Sequence, residues 1–118
     1  MKLNYITIVV RNLEESIKFY TELAELKIVR KAYPPAGEIV FLANEEGETM
    51  LELVNFEHIP SVTTKSLTIS FATSNLEEIR QKAIDLNYHP TDIIDRPPKP
   101  IHFQLLDPDG INVEFSDQ

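Results

Sequence analysis

Three histidines, nineteen Asp and Glu residues and no cysteine set the chemistry open to this 118-residue chain. Without cysteine there is no thiolate nucleophile, no disulfide and no thiolate zinc site. What remains is acid–base work by imidazole and carboxylate, or ligation of a hard cation by oxygen. One stretch gathers such groups. Asp107-Pro108-Asp109-Gly110 reads as a hairpin turn, with Pro108 and Asp109 at the centre of a type I turn and Gly110 as the left-handed residue after it. Asp107 then pairs with Ile111, Gln104 with Glu114, and His102 with Ser116. Strand alternation puts His102, Gln104, Asn112 and Glu114 on one face, and Ile101, Phe103, Leu105, Val113 and Phe115 on the other. His102 is open to two readings, a hydrogen-bonded strand histidine or a group with an acid–base or ligand role. His58 and His89 lie beside a linker and a turn and read as solvent-facing.

Other chemistries are excluded by what the sequence lacks. It has no Gly-rich phosphate loop, no G-x-S-x-G and no H-E-x-x-H, and Glu114 follows the Asp-Pro-Asp-Gly run too closely for an EF-hand. The net charge of -8 is spread along the chain, which argues against a nucleic-acid partner. No apolar run approaches ~18 residues, so no membrane span is expected. MKLNYITIVV enters a strand-like run directly, with no small-residue cleavage site, and a cytoplasmic location is expected.

The elements that must position these groups come twice. Ile6-Thr7-Ile8-Val9-Val10-Arg11-Asn12-Leu13-Glu14-Glu15 matches Ile69-Ser70-Phe71-Ala72-Thr73-Ser74-Asn75-Leu76-Glu77-Glu78 at an offset of 63 (69 minus 6), with Asn-Leu-Glu-Glu identical. Each copy reads as a strand entering a helix. Asn12 and Asn75 suit the N-cap, and Glu15 and Glu78 complete a capping-box spacing. Leu13, Ile17, Tyr20, Leu23 and Ala24 share one face of the first helix; Leu76, Ile79, Ala83 and Leu86 share one face of the second. Strands are expected over 26–33, 38–43 and 48–56, and again over 88–95, 101–107 and 111–116, separated by Pro- and Gly-bearing turns. Both halves thus read β-α-β-β-β within one domain spanning 1–118. Module 1 covers about 1–57, a linker 58–65, and module 2 about 66–117.

The stretch NYITIVVRNLEESIKFYTELAEL, the Leu-Glu-Leu at 51–53 and the Asp-Pro-Asp-Gly run followed by Glu114 resemble glyoxalase I and its relatives, the vicinal oxygen chelate superfamily, which includes bleomycin-resistance proteins and extradiol dioxygenases. The resemblance covers about residues 4–117. It implies an α+β fold in which the two β-α-β-β-β modules form a curled mixed β-sheet around a cavity, with the helices outside. It also implies four metal-ligand positions, usually His, Glu, His and Glu. These fall on Tyr5, Glu52, Thr68 and Glu114. Both carboxylates are kept and both imidazoles are gone, so a nickel or zinc site of glyoxalase type is not expected. A divalent metal enters only if Glu52 and Glu114 hold it.

Alternation along the strands then lists the groups facing the implied cavity: Tyr5, Thr7, Val9, Met50, Glu52, Val54, Thr68, Ser70, Ala72, His102, Gln104, Asn112 and Glu114. Two facing carboxylates without a metal should raise each other's pKa, making one a general base, or should be paired with Tyr5 and Gln104. Arg96 and Lys99 flank a Pro-rich loop and read as solvating surface or as receivers of an anion. The expectation is a homodimer that takes a small organic molecule into a cavity lined by Tyr5, Thr7, Thr68, Ser70, His102 and Gln104, with no cofactor. The alternative is a metal-dependent lyase or isomerase of glyoxalase I type, with Glu52 and Glu114 as the catalytic pair.

Overall fold

The computed structural model describes residues 1–117. Its chain divides into two compact units, Met1–Val62 and Thr63–Gln118. The first holds β1 (Tyr5–Val9), α1 (Leu13–Lys18), β2 (Lys27–Ala32), β3 (Gly37–Ala43) and β4 (Met50–Phe56). Its sheet runs β1-β4-β3-β2, with β1 parallel to β4 and the other pairings antiparallel. A strand followed by a helix and a parallel partner needs a crossover, which α1 supplies by packing on β4. The N-cap works as read: Asn12 Oδ1 accepts from the Glu15 N–H at 3.0 Å.

The end of the first helix departs from the reading. Beyond Lys18 the helix widens into a π-helical turn over Phe19–Leu23, closed by the Ala24 N–H on the Phe19 carbonyl at 3.4 Å. A five-residue hydrogen-bonded step turns each residue through a smaller angle than an α-helix does. The neighbours Phe19 and Tyr20 are therefore both fully buried, with Leu23 and Ser16, while Leu13, Ile17 and Ala24 are only half-buried. With Val10, Val40, Leu42 and Leu53 they make the core of this unit.

The second unit holds β5 (Thr68–Ala72), α2 (Leu76–Asp85), β6 (His102–Leu106) and β7 (Asn112–Ser116). Its sheet runs β5-β7-β6, with β5 parallel to β7 and β7 antiparallel to β6. Leu76, Ile79 and Ala83 bury the predicted face of α2. Asn75 makes no side-chain cap here; its own N–H instead donates to Thr73 Oγ1 at 3.1 Å. The helix closes on Asn87, whose φ of 68° is left-handed, with the Tyr88 N–H on the Ala83 carbonyl at 2.9 Å and the Asn87 N–H on that of Ile84 at 3.0 Å. The strand expected over 88–95 is a correction. Only Ile94 bridges His102, while Thr91 Oγ1 takes the Gln104 N–H at 3.0 Å. Pro90 offers no donor to a ladder, so the segment docks irregularly on β6. Phe103, Phe115 and Phe71 stack along the apolar face, with centroids 5.3 and 5.6 Å apart. The architecture is α+β, with a four-stranded and a three-stranded mixed sheet. No helix among the described residues is long and apolar enough to cross a membrane.

Candidate functional site

Each unit places a carboxylate beside a hydroxyl by strand register. In the first, Thr7 pairs with Glu52 across β1 and β4, and Thr7 Oγ1 donates to Glu52 Oε1. In the second, Ser70 pairs with Glu114 across β5 and β7, and Ser70 Oγ donates to Glu114 Oε2 at 2.8 Å. Thr7 and Ser70 are 63 residues apart (70 minus 7), so the repeat positions the two donors equivalently.

Around Glu52 the face is aromatic. Phe41 stands opposite Glu52 on β3. The Tyr5 ring meets Phe41 edge-on at 5.5 Å, and the Arg30 guanidinium lies 5.1 Å from the Phe41 ring centre. Tyr5, Arg30 and Met50, with Lys2, Asn4 and Glu48, line an open cavity of about 380 Å³. Phe41 and Arg30 were not among the expected site residues. The signal for Phe41 is its place in an all-apolar strand, Ile39–Ala43, where alternation cannot show which face is functional.

Around Glu114 the face is polar and charged. His102, Gln104 and Glu114 adopt the expected register: Gln104 lies opposite Glu114, and His102 opposite Ser116. The turn forms as read, with Asp107 Oδ1 accepting from the N–H groups of Asp109 and Ile111 and Gly110 at a φ of 84°. His102 is buried, its Nδ1 2.8 Å from the Pro100 carbonyl and its Nε2 3.8 Å from Glu114 Oε1. Thr68 lies two rungs away, its hydroxyl accepting from Asn112 Nδ2 at 3.0 Å. His58 and His89 are exposed.

Lys99 corrects the reading of the Pro-rich loop. It is neither free surface nor an open anion receiver, because its Nζ is ion-paired with Glu114 Oε1. The contact spans fifteen residues, and no local pattern signals it. The expected rise in carboxylate pKa is also corrected at Glu114. Burial pushes its carboxyl up. Hydrogen bonds from Lys99 and Ser70, with the charge of Lys99 and of the His102 ring, outweigh that and hold it below the ordinary value. Glu114 is consequently a weak base near neutral pH. Nor are the two glutamates paired with Tyr5 and Gln104. Glu52 takes Thr7, and Glu114 takes Ser70 and Lys99.

The four positions that the resemblance marks for metal ligands do not fit a metal here. Tyr5 packs on Phe41, the Thr68 hydroxyl accepts from Asn112, Glu52 takes Thr7, and Glu114 takes a lysine. Neither unit by itself holds both carboxylates. Among the described residues no group of three or more His, Cys, Asp or Glu side chains is arranged to hold a metal ion. A hard cation would need about six to eight oxygens, and nickel or zinc would want imidazole that positions 5 and 68 do not offer.

The chain belongs to one superfamily: the model for the Glyoxalase/Bleomycin resistance protein/Dioxygenase superfamily matches residues 2–115. Among solved structures the chain is similar to the trypanothione-dependent glyoxalase I of Leishmania major, at 25% identity over 99% of this chain and 86% of that one, with a TM-score of 0.83. It shares the fold of TnmS3, an antibiotic binding protein from Streptomyces sp. CB03234, at 17% identity over 98% and 94% of the two chains, with a TM-score of 0.78. It also shares the fold of a glyoxalase I mutant from Zea mays, at 19% identity and a TM-score of 0.86, covering 99% of this chain and 44% of that one. No curated protein matches the chain.

Proposed function

We propose that this chain binds a small organic molecule without a metal. The observation that carries the reading is the cavity of about 380 Å³ at Tyr5, Arg30 and Met50. Its volume suits a small ligand, its Tyr5 wall and thioether are apolar, and Arg30 and Lys2 provide donors for orientation. Tyr5 occupies the first ligand position of metal-dependent relatives and offers a ring face in place of an imidazole. The antibiotic binding protein TnmS3 is consistent with such a use of the fold. One family match runs across both units, so the reading takes them as halves of a single domain. It also takes the protein as a cytoplasmic homodimer, supported by exposed apolar residues on the edge strands, Ile28 on β2 and Leu106 on β6. A monomer at high micromolar concentration in a sizing experiment overturns the dimer.

A second reading, a metal-dependent lyase or isomerase of glyoxalase I type using Glu52 and Glu114, is favoured by the 25% identity with the Leishmania major enzyme. One experiment separates them. Calorimetric titration with bleomycin and a panel of planar aromatic antibiotics, with and without chelator, should show binding that chelator leaves unchanged and that Tyr5→Ala weakens roughly tenfold. Absence of any binding, together with turnover of a hemithioacetal that requires nickel or zinc and is lost in Glu52→Gln, establishes the second reading instead.

A further inference from the structure

Glu114 poses a charge problem that the fold solves with its own side chains. The carboxylate is 7% exposed, and a buried carboxylate is costly unless it is both paired and hydrogen-bonded. Oε2 takes the Ser70 hydroxyl at 2.8 Å. Oε1 takes the Lys99 ammonium, which arrives from the Pro-rich segment 96–100 with about half of its side chain still in solvent. His102 Nε2 stands 3.8 Å from the same Oε1. The Nδ1 of that ring faces the Pro100 carbonyl at 2.8 Å; a carbonyl only accepts, so Nδ1 carries the hydrogen. In the neutral ring this leaves a lone pair on Nε2. A ring nitrogen and a carboxylate oxygen therefore lie close together beside the Lys99 ammonium.

We infer that the Lys99 ammonium is the resident cation of the second unit, balancing Glu114 where metal-dependent relatives place a divalent ion and keeping such an ion out. A divalent ion approaching Oε1 must either dislodge the ammonium or share one oxygen with a like charge, and both are unfavourable at a buried carboxylate. The inference rests on the metal-free reading above, and it assigns to Lys99 the charge neutralisation that this reading leaves without a metal.

The test is a double-mutant cycle on stability combined with a metal titration. Lys99→Met should lower the thermal midpoint by about 5 °C or more, because it leaves a buried charge unpaired. Adding Glu114→Gln should recover roughly half of that loss or more, since the charge is then gone. Additive losses overturn the inference. Lys99→Arg keeps the charge and should stay within about 2 °C of the unmodified protein; a loss as large as that of Lys99→Met also overturns it. Nickel(II) is then titrated into the unmodified protein and into Lys99→Ala. The variant should bind roughly tenfold more tightly or better, a gain that His102→Ala removes. Equal affinity, or a stoichiometric nickel site already present with Lys99 in place, overturns the exclusion of metal. A failure of the ligand reading shows itself separately, as absence of organic-ligand binding while the stability cycle still shows coupling.

Discussion

Ser70 donates to Glu114 across the one rung of the parallel β5–β7 ladder that pairs the two residues directly. The bond needs no loop to hold it, because both partners are fixed by register and point to the same face of a sheet. Thr7 stands to Glu52 in the same way in the other unit. The two bonds differ in surroundings, since Glu114 is buried and Glu52 half-buried.

That difference sets the first prediction. Ser70→Ala removes the hydroxyl that donates to Oε2 of a buried carboxylate and should cost about 1–3 kcal/mol. Thr7→Ala acts at a wetter carboxylate and should cost less than about 1 kcal/mol. Urea denaturation of the two variants checks the order; equal losses would contradict it.

A pH dependence follows from the depressed pKa of Glu114. The folded value lies below the unfolded one, so in the acid range the unfolded chain binds the extra proton. The stabilisation is fully present above the ordinary glutamate value and is lost as pH falls through it to the folded value. Thermal midpoints across the acid range should show this loss, and in Ser70→Ala, which lacks a hydrogen bond that lowers the pKa, the loss should be smaller. Carbon-detected titration of Glu114 by NMR gives the shift directly.

The aromatic face makes a different prediction, one that separates binding from folding. Tyr5 is 45% exposed and Phe41 only 7%. Tyr5→Ala should leave stability within about 1 kcal/mol while weakening the organic ligand, whereas Phe41→Ala should cost about 3–5 kcal/mol of stability. Arg30→Ala removes an exposed cation–π contact and should cost no more than about 1 kcal/mol. Denaturation and ligand titration on the same three variants test the separation.

Gly37 gives a test of the first sheet itself. A Cβ added there meets the Asn55 carbonyl oxygen at 2.6 Å and Phe56 Cδ1 at 2.9 Å. The oxygen is backbone in a paired strand and has little room to move, so Gly37→Ala should destabilise by about 1–3 kcal/mol. Gly47 has nothing within 4 Å, though its φ of 91° strains any side chain, and Gly47→Ala should cost only about 1 kcal/mol. Chemical denaturation ranks the pair.

Local chemistry made most of the frame legible. The Asp-Pro-Asp-Gly turn fixes the last hairpin to the residue, because turn type and loop length determine register, and the positions of His102, Gln104 and Glu114 follow. The repeat shows that a strand and a helix occur twice. Three features escaped. Pro90 and its neighbours look strand-like in composition, yet the missing donor matters only once an edge is there to pair with. Lys99 reaches Glu114 by the path of a Pro-rich loop, which periodicity does not describe. Phe41 sits in a run apolar on both faces, so nothing local marked it or the exposed Arg30 as partners of Tyr5, which alternation did place on the cavity face.

The widened turn at Phe19–Leu23 has a consequence for length. A π-helical turn holds one residue more than an α-helical turn, so the first helix carries the equivalent of a single-residue insertion. Deleting Thr21, which is half-buried and spends its hydroxyl on the Ile17 carbonyl at 2.7 Å, should let the helix rewind to regular pitch. Either Phe19 and Tyr20 or Leu23 and Leu26 would then turn out of the core. The helix is thus tolerant of a frame one residue longer than its ideal and intolerant of that ideal itself.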